Sequence, residues 1–328
     1  MALLELREAI NQALAEEMER DERVFLMGEE VAEYQGAYKV SRGLLQRFGP
    51  RRVVDTPISE TGFAGVGIGA AMSGLKPVIE FMTWNFSLVA FDQLMSNAAK
   101  TLYMSGGQFK LPVVFRGPGG AVRGLAAQHS QSLEALYAHI PGLKVALPAT
   151  GADAKGLLKT AIRGDDPVIF IESEALYGRK FEVPDVELLI PFGQAAVARE
   201  GRDVTLIALS KQRHTALAAA EILAREYQLE AEVLDPRTLR PFDIETVARS
   251  VAKTHRAVIV EENWEWCGMG AQIAESIYRR CFDELDAPIA RVASRNVPMP
   301  YSPGLESAAL PSVERVVQAV KEVAYAKG

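Results

Sequence analysis

The chain has 328 residues, of which 48% are hydrophobic and 24% are charged, an ordinary composition for a globular protein with a large core. Its formal net charge is −6 and it contains no basic block, which argues against nucleic-acid binding. The two cysteines, Cys267 and Cys281, form neither a disulfide framework nor a zinc pattern. They indicate buried thiols in a reducing compartment.

The N-terminal segment has apolar residues at helical spacing, which predicts an amphipathic helix over 3–20. Its polar face is largely acidic, unlike a signal peptide or an arginine-rich transit peptide. The longest apolar runs, such as 204–209, are too short to span a bilayer. We therefore expect no membrane segment and a location in the bacterial cytoplasm or, for a mature organellar protein, in the matrix.

The first half of the chain alternates apolar runs with amphipathic segments. Strands are predicted at 23–27, 77–82, 111–115, 143–147 and 167–172, and helices at 39–48, 88–104, 131–140 and 152–163. Strands that alternate with helices of this length imply a mostly parallel sheet covered on both faces.

An irregular passage over 173–200 contains Pro184 and Pro191 and predicts an inter-domain linker. The alternation then resumes, with strands at 203–209, 229–235, 256–262 and 288–293 and helices at 213–226, 243–253, 268–282 and 311–325. The predicted fold class is α/β, with two mostly parallel-sheet, three-layer domains over 1–185 and 203–328 and a linker at 186–202.

A broken loop after Val54 leads to Glu60, a carboxylate among apolar neighbours. Two interpretations of Glu60 are open. It is either a helix N-terminal acid favoured by the macrodipole, or a functional acid whose pKa is raised by an apolar wall. The next predicted strand ends in an aromatic cluster at 83–86, where parallel α/β sheets place their ligands.

Two glycine motifs resemble cofactor loops without meeting their requirements. Residues 65–70 match the letters of the G-x-G-x-x-G/A fingerprint, but its glycines come directly after a strand, and here a loop intervenes. Residues 117–120 lack the Gly-Lys-Ser/Thr ending of a phosphate loop, and Pro118 removes an amide. We interpret the first as a small-residue helix face for close packing and the second as an active-site or interface loop.

His129 follows this glycine-rich segment. The four histidines, at 129, 139, 214 and 255, do not cluster along the chain, which argues against a zinc site built by this protein. A lone loop histidine is commonly polar surface. A histidine after a glycine-rich loop at the end of a parallel strand is also a candidate for acid–base chemistry.

Long strings of this sequence resemble the beta subunits of the thiamine-diphosphate-dependent decarboxylating components of 2-oxo acid dehydrogenase complexes, most closely the pyruvate dehydrogenase type. They include GEEVAEYQGAYKVSRGL at 28–44, DTPISETGFAGVGIGAAMSGLKPVIEFMTWNFS at 55–87, AAQHSQS at 126–132 and TLRPFD at 238–243. The resemblance covers nearly the whole chain. It implies a transketolase-like pyrimidine-binding domain followed by a transketolase C-terminal domain.

The resemblance implies roles for individual residues. The glutamate matching Glu60 would hydrogen-bond the aminopyrimidine ring of thiamine diphosphate and promote activation of the cofactor, and Met82 and Phe86 would line the pyrimidine pocket. His129 would lie near the substrate and act in protonation or in reductive acyl transfer to a lipoyl group. A buried acidic relay and a structural role are both open for two further acids, Glu29 and Asp92.

The resemblance also implies a divided cofactor site. Thiamine enzymes hold the diphosphate through Mg²⁺ with a Gly-Asp-Gly signature, and the nearest match in this chain is Gly164-Asp165-Asp166. We therefore expect an alpha subunit to hold Mg²⁺, in an α₂β₂ heterotetramer that serves a lipoyl-bearing acyltransferase core. Some members of the family bind K⁺ through main-chain oxygens at positions that match Val113, Ala161, Ile162, Gly164 and Asp166.

The expected activity is oxidative decarboxylation of a 2-oxo acid, pyruvate in the most similar type, with transfer of the acyl group to lipoamide. Acetoin and branched-chain 2-oxo acids are alternative substrates. Two other functions stay open: a scaffold subunit whose partner carries all the chemistry, and a stand-alone dinucleotide oxidoreductase.

Overall fold

The computed structural model describes residues 1–122 and 124–325, which fall into two compact units. The first unit contains 1–119 and 136–192, and the second contains 120–135 and the chain from 193 onward. The glycine-rich loop that carries His129 therefore belongs to the second unit, although strands of the first unit precede and follow it in the chain.

The first unit is built on parallel strands, as predicted. Six of its strands lie in the order β6-β7-β5-β4-β2-β3, and each adjacent pair is parallel. The elements are β1 (Ala2–Glu5), α1 (Leu6–Arg20), β2 (Val24–Gly28), α2 (Leu44–Phe48), β3 (Val53–Asp55), α3 (Glu60–Met72), β4 (Lys76–Glu80), α4 (Thr101–Met104), β5 (Val114–Gly119), α5 (Glu134–Ala138, where the chain returns from the second unit), β6 (Lys144–Ala146), α6 (Gly151–Arg163), β7 (Val168–Ser173) and β8 (Lys180–Val183).

One apolar stripe of α1 anchors the core of this unit. Leu6, Ile10 and Leu14, each one helical turn apart, are fully buried in a cluster that includes Leu157 and Leu158 of α6. Complete burial of a side chain of this size contributes about 1.5–3 kcal/mol. The pattern that predicted an amphipathic helix therefore corresponds to the packed face of α1.

The second unit repeats the parallel α/β pattern, as predicted. Its sheet has the order β14-β13-β10-β11-β9, in which β9 is an antiparallel edge strand and the other adjacent pairs are parallel. The elements are β9 (Ala196–Arg199), β10 (Val204–Ala208), α7 (Gln212–Tyr227), β11 (Ala231–Asp235), β12 (Thr238–Arg240), α8 (Ile244–Thr254), β13 (Ala257–Trp264), α9 (Met269–Cys281), β14 (Ala290–Ser294), α10 (Pro303–Ala309) and α11 (Val313–Val323).

Pairing between strands that are distant in sequence changes the predicted elements in two places. The predicted first helix starts at Leu6 rather than at residue 3, because Ala2–Glu5 pairs antiparallel with β8. The same pairing gives structure to part of 173–200, which was predicted to be irregular and instead contains β8 and β9. Both strands are short, and their partners are distant in sequence, so local periodicity did not reveal them.

The predicted helix over 88–104 is also wrong in its regularity. It is divided into a 3₁₀ helix at 84–90, a π-helical segment at 93–98 and α4. Between the 3₁₀ helix and the π-helical segment lies Asp92, whose side chain accepts a hydrogen bond from the Ser96 hydroxyl at 2.7 Å. A segment of this kind is frequent at functional sites.

The glycines at 117 and 119 lie in a strand rather than in the predicted loop. β5 continues to Gly119 and pairs with β7 as far as Gly119↔Ser173. A Cβ atom on Gly117 would lie 2.6 Å from the carbonyl oxygen of Phe81, so the neighbouring strand leaves no space for a side chain. Residues 65–70 lie inside α3, where a Cβ atom on Gly67 would lie 2.6 Å from Ile79 of β4, which supports the interpretation as a close-packing helix face.

Candidate active site

Two buried glutamates meet at the carboxyl end of the first unit's sheet. Glu29 directly follows β2, and Glu60 is the first residue of α3; they are 5% and 7% exposed. Their carboxyl groups hydrogen-bond each other. Parallel α/β sheets bind ligands at this edge, because loops after neighbouring strands converge there.

The environment of Glu29 favours its protonated form. Burial raises the pKa of Glu29 to about 7, the nearby Glu60 carboxylate adds to the shift, and the Met82 N–H opposes it by donating to Glu29. Among the described residues, Oε1 of Glu29 has no hydrogen-bond partner. A buried polar atom left unpaired costs about 1–3 kcal/mol. Glu29 can therefore exchange a proton near neutral pH, and one of its buried oxygens is left for a ligand.

Met82 and Phe86 follow β4 at the same edge of the sheet. Met82 is half-buried and contributes its main-chain N–H to Glu29, and the Phe86 side chain is 37% exposed. Trp84 between them is fully buried, with its ring edge-on to Phe81 and Tyr137. The buried indole anchors this turn, which leaves the Phe86 ring partly exposed after the strand that precedes it.

Asp92 does not share this environment. Its side chain is exposed in the single chain and accepts a hydrogen bond from Ser96. Of the two acids considered for a buried relay, the structure places Glu29 beside Glu60 and leaves Asp92 on the surface.

A buried ion network that the sequence analysis missed lies within the same sheet. Arg116 of β5 is fully buried and donates to Glu80 of β4 and to Glu172 of β7, the latter at 2.6 Å through Nε, and Tyr177 donates to Glu172 at 2.5 Å. Burial opposes the charge, and the two carboxylates nonetheless hold the pKa of Arg116 well above its ordinary value. A sequence signal existed: the apolar runs at 77–81, 111–116 and 167–172 each contain one charged residue.

His129 lies in the second unit, in a 3₁₀ turn at 127–129. Its side chain is half-buried, and its main-chain N–H donates to the carbonyl of Ala126, whose φ of 60° lies in the left-handed region. A cavity of about 400 Å³ adjoins this turn, lined by Ala127, Gln128, Gln131, Trp264, Asn296, Val297 and Pro298.

Side chains of the second unit hold the loop that carries His129. Glu262 of β13 accepts a hydrogen bond from the Ala121 N–H, and Lys211 donates to the Ala121 carbonyl at 2.7 Å and pairs with Glu262 at 2.6 Å. Glu306 accepts from the Gly124 N–H at 3.0 Å. These contacts hold the loop at three main-chain groups, the N–H and carbonyl of Ala121 and the N–H of Gly124.

Glu134 is buried close to the acids of β13. Burial raises its pKa to about 8, and the charges of Glu262 and Glu261 add to the shift, whereas Asn263 opposes it by hydrogen bonding. Glu134 is therefore mostly protonated at neutral pH in the folded protein.

This shift predicts a pH-dependent loss of stability. Between the unfolded pKa of about 4.3 and the folded value of about 8, the folded state binds the extra proton, so the free energy of unfolding falls as the pH rises. Glu134→Gln removes the carboxyl group and therefore the free-energy cost of ionising a buried acid as the pH rises. We expect a flatter profile of melting temperature from pH 5 to 8 and a variant more stable at pH 8, by at most about 5 kcal/mol at about 1.4 kcal/mol per pKa unit.

Glu221→Gln is the matched control, because Glu221 is exposed on α7 of the same unit. Its profile should follow the wild-type profile. Equal slopes for the wild type and Glu134→Gln would show that Glu134 is charged in the folded protein.

Four of the five main-chain oxygens expected to bind K⁺ accept hydrogen bonds from the protein. The Val113 carbonyl accepts from Val168 at 2.9 Å, and the Ala161 carbonyl accepts from Gly164 at 3.2 Å. The Ile162 and Gly164 carbonyls accept from the ammonium of Lys76, at 3.0 and 3.5 Å. The side chains of the nearest match to the Mg²⁺ signature are paired with lysines, Asp165 with Lys110 and Asp166 with Lys144. The described geometry does not fit a metal ion at the Ile162 and Gly164 oxygens.

The helices of the described residues are all too short or too polar to cross a membrane.

Two family models match this chain, "Transketolase, pyrimidine binding domain" over residues 3–180 and "Transketolase, C-terminal domain" over 193–316. Similar curated proteins include Pyruvate dehydrogenase E1 component subunit beta of Rickettsia felis, 55% identical over 98% of both chains. The protein of that name from Rhizobium meliloti is 57% identical over 99% of this chain and 71% of its own. The mitochondrial subunit beta-1 of Oryza sativa subsp. japonica is 54% identical over 98% of this chain and 86% of its own.

Solved structures show the same fold at low identity. The one titled "Split gene transketolase, inactive beta4 tetramer" has a TM-score of 0.80 and 24% identity, with 100% of both chains covered. Transketolase from Leishmania mexicana has a TM-score of 0.73 and 16% identity over 99% of this chain and 46% of its own. Both confirm the predicted transketolase-like α/β architecture.

Proposed function

This chain belongs to the family of pyruvate dehydrogenase E1 component beta subunits, and we propose that it catalyses, with an alpha subunit, oxidative decarboxylation of pyruvate and acetyl transfer to lipoamide. The observation that carries the proposal is the buried Glu29–Glu60 pair at the carboxyl end of the pyrimidine-binding domain's sheet. Membership of this family implies thiamine diphosphate as cofactor and a complex with an alpha subunit.

The residues around Glu60 fit the aminopyrimidine end of thiamine diphosphate. Glu60 would hydrogen-bond the pyrimidine ring, and the unpaired buried oxygen of Glu29 supports a polar ligand at this position. Met82 and Phe86 would line the ring's apolar sides. When bound, thiamine diphosphate supplies the electron sink that decarboxylation of a 2-oxo acid requires. The protein's part is to hold the ring, exclude water and exchange a proton between the two carboxyl groups.

His129 is the proposed acid–base group toward the substrate. Its half-buried position beside a cavity, on a loop held at three main-chain groups, supports this role. An imidazole can donate and accept a proton, so His129 would act as a proton donor toward the substrate or assist acyl transfer to a lipoyl group. Lipoyl groups would be delivered by the acyltransferase core of the complex.

The surface of the first unit supports a large subunit interface. Ile58 and Tyr103 are 83% and 90% exposed, and Val66 and Met104 are 61% and 78% exposed. Single exposed apolar residues are ordinary, but several large ones on one unit support an interface. We propose an α₂β₂ heterotetramer in which the alpha subunit holds Mg²⁺ and the diphosphate, placed in the bacterial cytoplasm or an organellar matrix.

Co-expression with a candidate alpha subunit tests the proposal. We expect reduction of an artificial electron acceptor that depends on pyruvate, thiamine diphosphate and Mg²⁺ and that neither chain shows alone. Acetoin and branched-chain 2-oxo acids serve as the competing substrates. Turnover restricted to one of these would keep the chemistry and change the substrate. Decarboxylation of pyruvate by the pure chain without a partner would overturn the divided site.

A further inference from the structure

Lys76, the first residue of β4, places its ammonium in a cluster of main-chain oxygens. The side chain is buried, and Nζ lies 3.0 Å from the Ile162 oxygen, 3.0 Å from the Arg163 oxygen and 3.5 Å from the Gly164 oxygen. These three oxygens form the carboxyl-terminal end of α6. Carbonyls at this end of a helix lack intrahelical donors and carry partial negative charge.

The number of acceptors matches the charged form of the lysine. An ammonium has three N–H donors, and three carbonyls lie within hydrogen-bond distance. The surrounding charges are mixed. Burial lowers the pKa of Lys76, Arg23 and Arg20 lower it further, and Asp21 and Asp165 raise it.

The same oxygens cannot easily serve a metal ion as well. A monovalent ion bound to the Ile162 or Gly164 carbonyl would lie within a few ångströms of the ammonium, and like charges at such distances repel strongly in a partly buried position. Because the ammonium is part of the Lys76 side chain, no separate cation has to bind at this position.

We propose that Lys76 provides a built-in monovalent cation that takes the place of K⁺ at the end of α6. This inference does not depend on the proposed activity. It predicts that the segment at 161–166 holds its structure without a monovalent metal ion, in contrast to the K⁺ site expected from the resemblance.

Thermal unfolding of the purified complex containing the full chain tests this proposal. We expect the wild-type melting temperature to be equal in potassium, sodium and choline chloride at matched ionic strength. Lys76→Met keeps the aliphatic stem and removes the donors, so its melting temperature in choline should fall by at least about 3 °C. Potassium or ammonium should restore at least half of that loss, because the vacated oxygens then accept a free cation.

Lys110→Met is the matched control, since Lys110 is an exposed lysine that pairs with Asp165 beside the same helix end. It should show neither the loss nor the rescue. Specific stabilisation of the wild type by potassium would overturn the proposal, and this measurement decides it even if Lys76→Met does not fold. A loss that neither potassium nor ammonium rescues would also overturn it and leave Lys76 as a helix cap.

Discussion

Glu60→Gln is expected to lower thiamine-diphosphate-dependent decarboxylation by about 10²–10⁴-fold, the range typical of a lost acid–base group. The amide preserves the shape of the side chain but cannot exchange a proton with Glu29, to which the Glu60 carboxyl is hydrogen-bonded. The rate is measured with the assembled complex at saturating pyruvate and cofactor. Size-exclusion chromatography in parallel establishes that the assembly is intact.

Glu33→Gln is the control for this experiment, because Glu33 is an exposed acid in the loop that follows Glu29. It should retain the wild-type rate. Normal turnover by Glu60→Gln in an intact complex would contradict the catalytic assignment and favour a scaffold subunit. Loss of turnover with loss of assembly would instead assign Glu60 a structural role.

Arg116→Leu should be the most destabilising of these substitutions, at about 3–5 kcal/mol, because it leaves two buried carboxylates without their cation. The Arg116 side chain is fully buried and donates hydrogen bonds to Glu80 and Glu172. The measurement is the shift of the urea and thermal midpoints of the complex. We expect Arg116→Lys to lie between, since a point charge cannot reproduce the two-sided contacts of the guanidinium.

Two further variants test whether the loss of stability in Arg116→Leu comes from the unpaired buried carboxylates. Arg51→Leu, at an exposed arginine of the same unit, should change the midpoint little. Replacing Glu80, Arg116 and Glu172 together with apolar or amide side chains should cost less than Arg116→Leu alone, because no unpaired charge remains. A midpoint for Arg116→Leu within error of the wild type would show that protons already neutralise the two carboxylates.

The ion network of Arg116, Glu80 and Glu172 also affects the candidate site that contains Glu29. Glu80 ends β4, and Met82, two residues later, donates its N–H to Glu29. Arg116 therefore ties together three strands close to the point where the loops with Glu29 and Met82 begin. A destabilised network is expected to loosen this edge of the sheet before it unfolds the unit.

The sequence by itself determined the two runs of strand–helix alternation and both parallel sheets. It also singled out Glu60 and Met82, whose neighbours in the structure support a ligand site. These features depend on short-range information: apolar periodicity, breaks at proline and glycine, and long strings that resemble a known family. Such signals are contained within a few turns of chain and survive folding unchanged.

Only the tertiary structure decided which charged groups meet. Glu29 joins Glu60, Arg116 joins Glu80 and Glu172, and Lys76 reaches the end of α6, 86 residues away at Ile162. It also converted 117–119 from a predicted loop to a strand and paired Ala2–Glu5 with β8. The reason is that strand order and register, which no local pattern encodes, bring together residues far apart in the chain.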